Sequence, residues 1–177
     1  MLHALAMGEL DIAFVLGEPQ LAKHQIRVLW HDSVYAVLPS DHRLARRESL
    51  MWEHIREETF LGSRGGPGLE FQNYLIRKLT TPGFCPHIEI HDVSHGSLIE
   101  LVAMAYGITL TTSALPIPGT GGVVFLPIAG ETEMLPSSAI WPEESSNPAL
   151  RKFVALLMEC AEGRKLTQAA EGVRGEP

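Results

Sequence analysis

Apolar and polar positions along the chain alternate between two periods, one of about two residues and one of about three and a half. Leu2, Leu5 and Ala6 lie at helical spacing, and Gly8 follows where a left-handed residue stops a helix. Leu10 to Leu16 is a compact apolar run and reads as a buried parallel strand, with Ile26 to Trp30 as the next strand. Val34 to Leu38 reads as a strand buried on both faces. Pro39 removes a backbone donor and ends it, and Ser40 with Asp41 is suited to cap a short helix. This stretch is where the chain is expected to leave one lobe for another.

The second lobe follows the same logic. Leu50, Trp52 and Ile55 predict a short helix over 49 to 57, and Thr59 to Leu61 a strand. The turn Gly62-Ser-Arg-Gly-Gly-Pro-Gly68 then leads into a helix whose apolar face is Phe71, Tyr74, Leu75 and Leu79. Residues 86 to 93 alternate, predicting a strand with one wet face. A helix follows from Ser94 to Ala105, on Leu98, Leu101, Val102 and Ala105, stopped by Gly107. Strands are expected over 108 to 112 and 123 to 128, with a turn-rich connector at 116 to 122 between them. Ser138 to Trp141 returns to the first lobe. Asn147 as cap and Pro148 as first helical residue open a last helix whose stripe is Leu150, Phe153, Val154 and Leu157.

Four segments, in order, carry a resemblance. Val37-Leu-Pro-Ser-Asp-His-Arg-Leu-Ala45 resembles the V-x-P-x-x-H-P-L-A signature in the effector-binding domain of LysR-type transcriptional regulators. Gly8-Glu-Leu-Asp-Ile-Ala13, Leu101-Val-Ala-Met-Ala-Tyr-Gly-Ile-Thr-Leu110, and Trp141 followed by Asn147-Pro-Ala-Leu-Arg-Lys-Phe153 match in the same order, over nearly all of residues 1 to 160. The resemblance implies an α/β, two-lobe, periplasmic-binding-protein-like (type 2) fold with two crossover strands. Lobe one is expected over 1–39 plus 138–165, lobe two over 40–137, and a disordered tail over 166–177. It also implies that lobe one is incomplete: a strand and a helix that the family places before residue 1 have no counterpart here, and neither does its DNA-binding module. The expected activity is sensing, with a small and often anionic effector between the lobes. A homodimer or tetramer is expected in the full-length regulator, and DNA is touched only through the missing module. A free-standing solute-binding protein of the same fold is the other reading, which a secretory signal would favour. The start of the chain has no basic region before its apolar residues, so it is not read as such a signal.

Composition narrows the partners. Of 177 residues, 45% are hydrophobic and 20% charged, the balance of a globular chain. A formal net charge of -7 makes it a poor partner for phosphate backbones. The longest uncharged apolar run, Leu101 to Leu110, is too short to cross a bilayer. The cysteines, Cys85 and Cys160, are far apart and suit a reducing cytoplasm, with Cys160 read as a small core residue.

The candidate chemistry is recognition. Ser63, Arg64 and Gly65 sit between a strand and a helix start, where free amide hydrogens and the helix dipole favour an anion and Arg64 offers a fork-shaped clamp. Ser94 and His95 precede the second such helix, and the family often lines its pocket there. Ser97 and Glu100 also fit a capping box, so a plain cap explains that serine. Phe14 and Thr112, at strand ends, complete the expected effector site, although a core role suits Phe14 as well. His87, Glu89 and His91 share one strand face, but with Ile88 and Ile90 opposite they read as its wet side, and no metal is implied. Leu61-Gly-Ser-Arg-Gly65 misses the nucleophile-elbow spacing by one residue. No enzyme chemistry and no cofactor are expected.

Overall fold

The computed structural model describes residues 1–65, 67–112 and 121–172, with side chains up to residue 163. Contacts divide the chain into two compact units, Met1–His31 with Pro136–Pro177, and Asp32–Leu135.

In the first unit, α1 (Leu2–Ala6) ends at Met7, and Gly8 at φ +74° takes the left-handed position expected of it. Three strands follow: β1 (Ala13–Leu16), β2 (His24–Asp32) and, late in the chain, β8 (Leu135–Pro142), in the order β1-β8-β2. β1 runs antiparallel to β8, with Ala13 opposite Ile140 and Leu16 opposite Ser137. This replaces the parallel strand read from Leu10 to Leu16. A continuous apolar run reports burial on two faces and says nothing of strand direction. Because side chains alternate, neighbouring residues of β8 serve opposite faces. Ile140 joins Leu5 and Ala13 under α1, while Ala139 and Trp141 join Leu29, Leu150 and Ala161 on α5 (Pro148–Gly172). Asn147 caps that helix as expected, its Oδ1 accepting the Ala149 amide at 3.0 Å.

In the second unit, β3 (Tyr35–Pro39) lies between β6 (Thr109–Thr111) and β7 (Val123–Pro127), antiparallel to both. Ala36, Val37 and Leu38 are fully buried, as their run required. β4 (Thr59–Ser63) pairs in parallel with β5 (His87–His91). It reaches the strand leading into β6 through a parallel bridge at Phe60 and Ile108, with Leu61 N–H donating to the Ile108 carbonyl at 2.7 Å. Gly107 is the residue that permits this approach: a Cβ there would lie 2.5 Å from the Thr59 carbonyl oxygen. α4 (His95–Ala103) covers this sheet, Leu98, Ile99 and Val102 packing on Val37 and Leu61. α3 (Gly68–Leu79) buries Phe71, Tyr74, Leu75 and Leu79, the face its spacing predicts. α2 (Trp52–Ile55) precedes β4.

A polar network ties the segment before β8 to these helices. Glu131 receives the Trp52 indole N–H at 2.9 Å and the Lys78 ammonium at 2.9 Å, and Glu133 pairs with Lys78 at 2.9 Å and Arg77 at 2.6 Å.

Several expectations are corrected. The division between units falls after His31 and after Leu135, whereas the sequence drew it after Pro39 and before Ser138: every ladder partner of Tyr35–Pro39 belongs to the second unit. Pro39 to Arg47 forms successive turns, such as His42 N–H to the Pro39 carbonyl, in place of a capped helix. α4 ends at Ala103, two residues before Ala105, which takes the left-handed conformation at φ +62°, so Gly107 is not its stop. Ile90 is 42% exposed on β5, and Phe153 is 46% exposed on α5. Cys160 is exposed and its neighbour Ala161 takes the core position. α5 continues through Gly172 where a tail was expected from 166. Residues 173–177 and 113–120, the latter including positions 116–120 of the expected connector, lie outside the described residues.

Candidate functional site

The carboxyl ends of β4, β5 and β6 fall at one end of the second unit's sheet, because β4 runs parallel to β5 and to the entry into β6. Each of the first two strands turns there into a helix. At the end of β4 the Ser63 side chain is buried, and its hydroxyl donates to the Gly65 carbonyl at 2.8 Å, bracing the turn from inside. Gly68, the first residue of α3, presses against that strand end so closely that a Cβ would fall 1.8 Å from the Ser63 carbonyl oxygen. The Gln72 side chain donates to the same carbonyl at 3.3 Å. The second turn is held by Ser94, whose Oγ accepts the Ser97 amide at 3.2 Å and caps α4. The reciprocal cap from Glu100 to Ser97 is thereby excluded, since Ser97 is already inside the helix.

One backbone bond fastens the two turns together: Arg64 N–H donates to the His91 carbonyl at 3.0 Å. His91 therefore serves this site through its main chain, a role that the strand pattern gives no hint of. The Arg64 side chain is exposed, and its guanidinium has no partner among the described residues. A second link is aromatic. His95 stacks on Phe71 with ring centroids 6.1 Å apart and planes 19° from parallel, joining the first turns of α4 and α3. Burial pushes the His95 imidazole below its ordinary value, so at neutral pH it is an uncharged ring. Phe71, Gln72 and Gly68 are the site's residues that sequence reasoning missed. Phe71 was read as core, and the Gly-rich turn alone was the signal for Gly68.

Electrostatically this end of the unit is suited to an anion. Two helices of 12 and 9 residues start side by side, each bringing partial positive charge, and Arg64 adds a full one. The fold thus brings together Ser63, Arg64, Gly65, Ser94 and His95, and Thr112 follows β6 at the same end of the sheet. Phe14 belongs to the first unit, 45% exposed, with its ring edge-on to Phe153 at 6.4 Å, so it is not a core residue.

The His87, Glu89 and His91 face holds itself together. The Glu89 carboxylate lies 3.2 Å from His87 Nε2 and 3.8 Å from His91 Nε2. Among the described residues no group of three His, Cys, Asp or Glu is arranged to hold a metal, and no helix is long and apolar enough to cross a membrane.

Comparison with known proteins gives a consistent result. A family model described as the LysR substrate binding domain matches residues 1–161. Among curated proteins, the Hca operon transcriptional activator HcaR of Escherichia coli (strain K12) is 26% identical over 158 residues, 86% of this chain and 51% of that protein. The chain thus spans about half the length of such relatives. Among solved structures, the effector binding domain of QuiR in complex with shikimate superposes with a TM-score of 0.76 at 16% identity, covering 92% of this chain and 77% of that one. The BenM effector binding domain with its effector benzoate gives 0.67 at 17% identity, covering 99% and 77%. These likenesses establish the α/β, periplasmic-binding-protein-like class of the fold.

Proposed function

This chain belongs to the LysR substrate binding domain family, and from that premise we propose that it is the effector-sensing part of a transcriptional regulator. The effector is a small organic anion, received in the second unit where β4 and β5 turn into α3 and α4. The observation that carries this reading is the pair of adjacent strand-to-helix turns fastened by the Arg64 to His91 backbone bond, with a guanidinium that has no partner among the described residues on one of them. Arg64 supplies a two-pronged contact to a carboxylate, and the amides at the start of α4 supply neutral donors. Ser63, buried and committed to Gly65, sets the shape of the turn, while Ser94, His95 and Thr112 flank the anion. Shikimate and benzoate, named with two solved structures of the same fold, are both carboxylates and suit this chemistry.

No step in this reading asks for bond breaking, and the relatives are named as regulators. Contact with DNA is assigned to another part of the regulator, since a chain carrying a net charge of -7 is repelled by phosphates. Self-association of the regulator is part of the same proposal.

Calorimetric titration of the chain with a panel of carboxylates that includes shikimate and benzoate tests it. Saturable binding of at least one, weakened by about tenfold or more in Arg64→Ala, is expected. Affinity unchanged in that variant removes Arg64 from the site, and no binding by any carboxylate refutes the assignment.

A further inference from the structure

The first unit contains a cavity of about 590 Å³ between the end of β8 and the face of α5, sharing no residue with the anion site. Its apolar wall is the Trp141 ring with Leu150 and Val154, and its charged rim is Glu143, Glu144 and Arg151. Trp141 is only 8% exposed and its ring is packed in the core with Leu29, Ala139 and Leu150. Its indole N–H has no acceptor among the described residues and is not sealed from solvent, and the residue lines the cavity. An indole N–H in that position favours an occupant that brings an acceptor to it.

The rim says what else the occupant carries. Arg151 spends one donor on the Ser145 carbonyl, at 3.3 Å, and has others left. Glu143 and Glu144 have no ion-pair partner among the described residues, and both residues line the cavity. A simple organic anion meets Arg151 but is repelled by two carboxylates, and a simple amine meets the reverse conflict. A molecule with both charges on one carbon, and an apolar body for Trp141, Leu150 and Val154, meets neither. We propose that this cavity is a second ligand site of the chain, binding a free α-amino acid with an apolar side chain. The carboxylate is taken by Arg151 and the indole N–H, the ammonium by Glu143 and Glu144. A volume of this size, apolar with a few polar groups, is ordinary for a small-molecule site.

The test is calorimetric titration of the 177-residue chain with L-leucine and L-phenylalanine. The comparators are 4-methylpentanoate, which lacks the amine, and 3-methylbutylamine, which lacks the carboxylate. Saturable binding of an amino acid is expected, weakened about tenfold or more in either comparator, in Arg151→Ala and in the Glu143→Gln/Glu144→Gln double variant, all of which alter only the exposed rim. Trp141→Phe is expected to weaken binding by roughly fivefold or more with an unchanged circular dichroism spectrum. No saturable binding overturns the proposal, as does equal binding of 4-methylpentanoate. Binding that falls in Arg64→Ala and not in Arg151→Ala also overturns it, because the ligand then occupies the anion site. The anion site itself is judged separately, by the carboxylate panel.

Discussion

The most quantitative consequence of the structure concerns Glu131. Its side chain is 7% exposed, and burial alone would raise the pKa of such a carboxyl. Hydrogen bonds from Lys78, the Glu133 amide, Trp52 and Tyr74 outweigh that cost, and the carboxyl is held down from 4.5 to about 2. A group whose folded pKa is depressed stabilises the fold fully above its unfolded value, and that stability is lost as the pH falls through the folded one. A gap of roughly two and a half units, at about 1.4 kcal/mol each, makes the ionised carboxylate worth at most roughly 3.5 kcal/mol. Glu131→Gln keeps the shape and removes the charge. It is expected to lower unfolding free energy by about 2 to 3 kcal/mol at pH 7, or roughly 4 to 12 °C in Tm. The difference from wild type should be complete above about pH 5 and shrink steadily toward pH 2, where both proteins carry a neutral group. Urea unfolding followed by circular dichroism at several pH values measures this directly. A wild-type to variant difference that stays constant from pH 7 to pH 3 would falsify the argument, because the loss would then come from packing alone.

Gly68→Ala places a methyl 1.8 Å from the Ser63 carbonyl and should cost about 3 kcal/mol or more by urea unfolding, as α3 is pushed off β4. The same variant should weaken whatever carboxylate the chain binds, since the turn carrying Arg64 moves with it. Ala105 sits at φ +62° with its Cβ strained, so Ala105→Gly should raise stability by roughly 0.5 to 1 kcal/mol in the same assay; a loss would mean the strain is absent. Ser94→Ala removes the cap of α4 and should cost about 1 kcal/mol. Both Cys85 and Cys160 are exposed, so an aromatic disulfide reagent should titrate two thiols in the native chain without denaturant, and a single fast thiol would return Cys160 to the core.

What was legible in the sequence was what periodicity and backbone chemistry dictate. Phe71, Tyr74, Leu75 and Leu79 could face only one way on a helix, and they do; the five apolar positions Val34 to Leu38 called for cover on both sides, and Val34, Ala36, Val37 and Leu38 are buried. Gly8 and Asn147 act where their conformational and capping preferences put them. Errors arose where one pattern is compatible with two arrangements. The apolar run before Gly17 cannot report whether its partner strand runs parallel or antiparallel. The stripe on α5 cannot report how much neighbouring structure lies within reach, so Phe153 meets only the edge of Phe14, and Cys160 lies one position off the buried face that Ala161 occupies. Gly107 was rightly suspected of a special role and given the wrong one, because a close approach to the Thr59 carbonyl is a tertiary fact with no local signature.

The same distinction explains why one proposed site is legible in the sequence and the other is not. The proposed anion site is written in the backbone: a strand that stops, glycines that let a helix begin against it, and a serine that caps the next helix are all readable within a few residues, while the bond from Arg64 to His91 joins segments far apart in the chain. The cavity at Trp141 is written in side chains brought from a strand end, a loop and the second turn of a helix, of which none is unusual in its own neighbourhood. Trp141 reads as core, and by area it is core. Glu143 and Glu144 read as a wet loop, and Arg151 as the polar side of a helix. An N–H without an acceptor among the described residues, on a residue that lines a space rimmed by both signs of charge, sets these residues apart from ordinary surface. A charge pattern that excludes simple anions from one site and welcomes them at the other would let a single chain respond to two metabolite classes without either competing for the other's place.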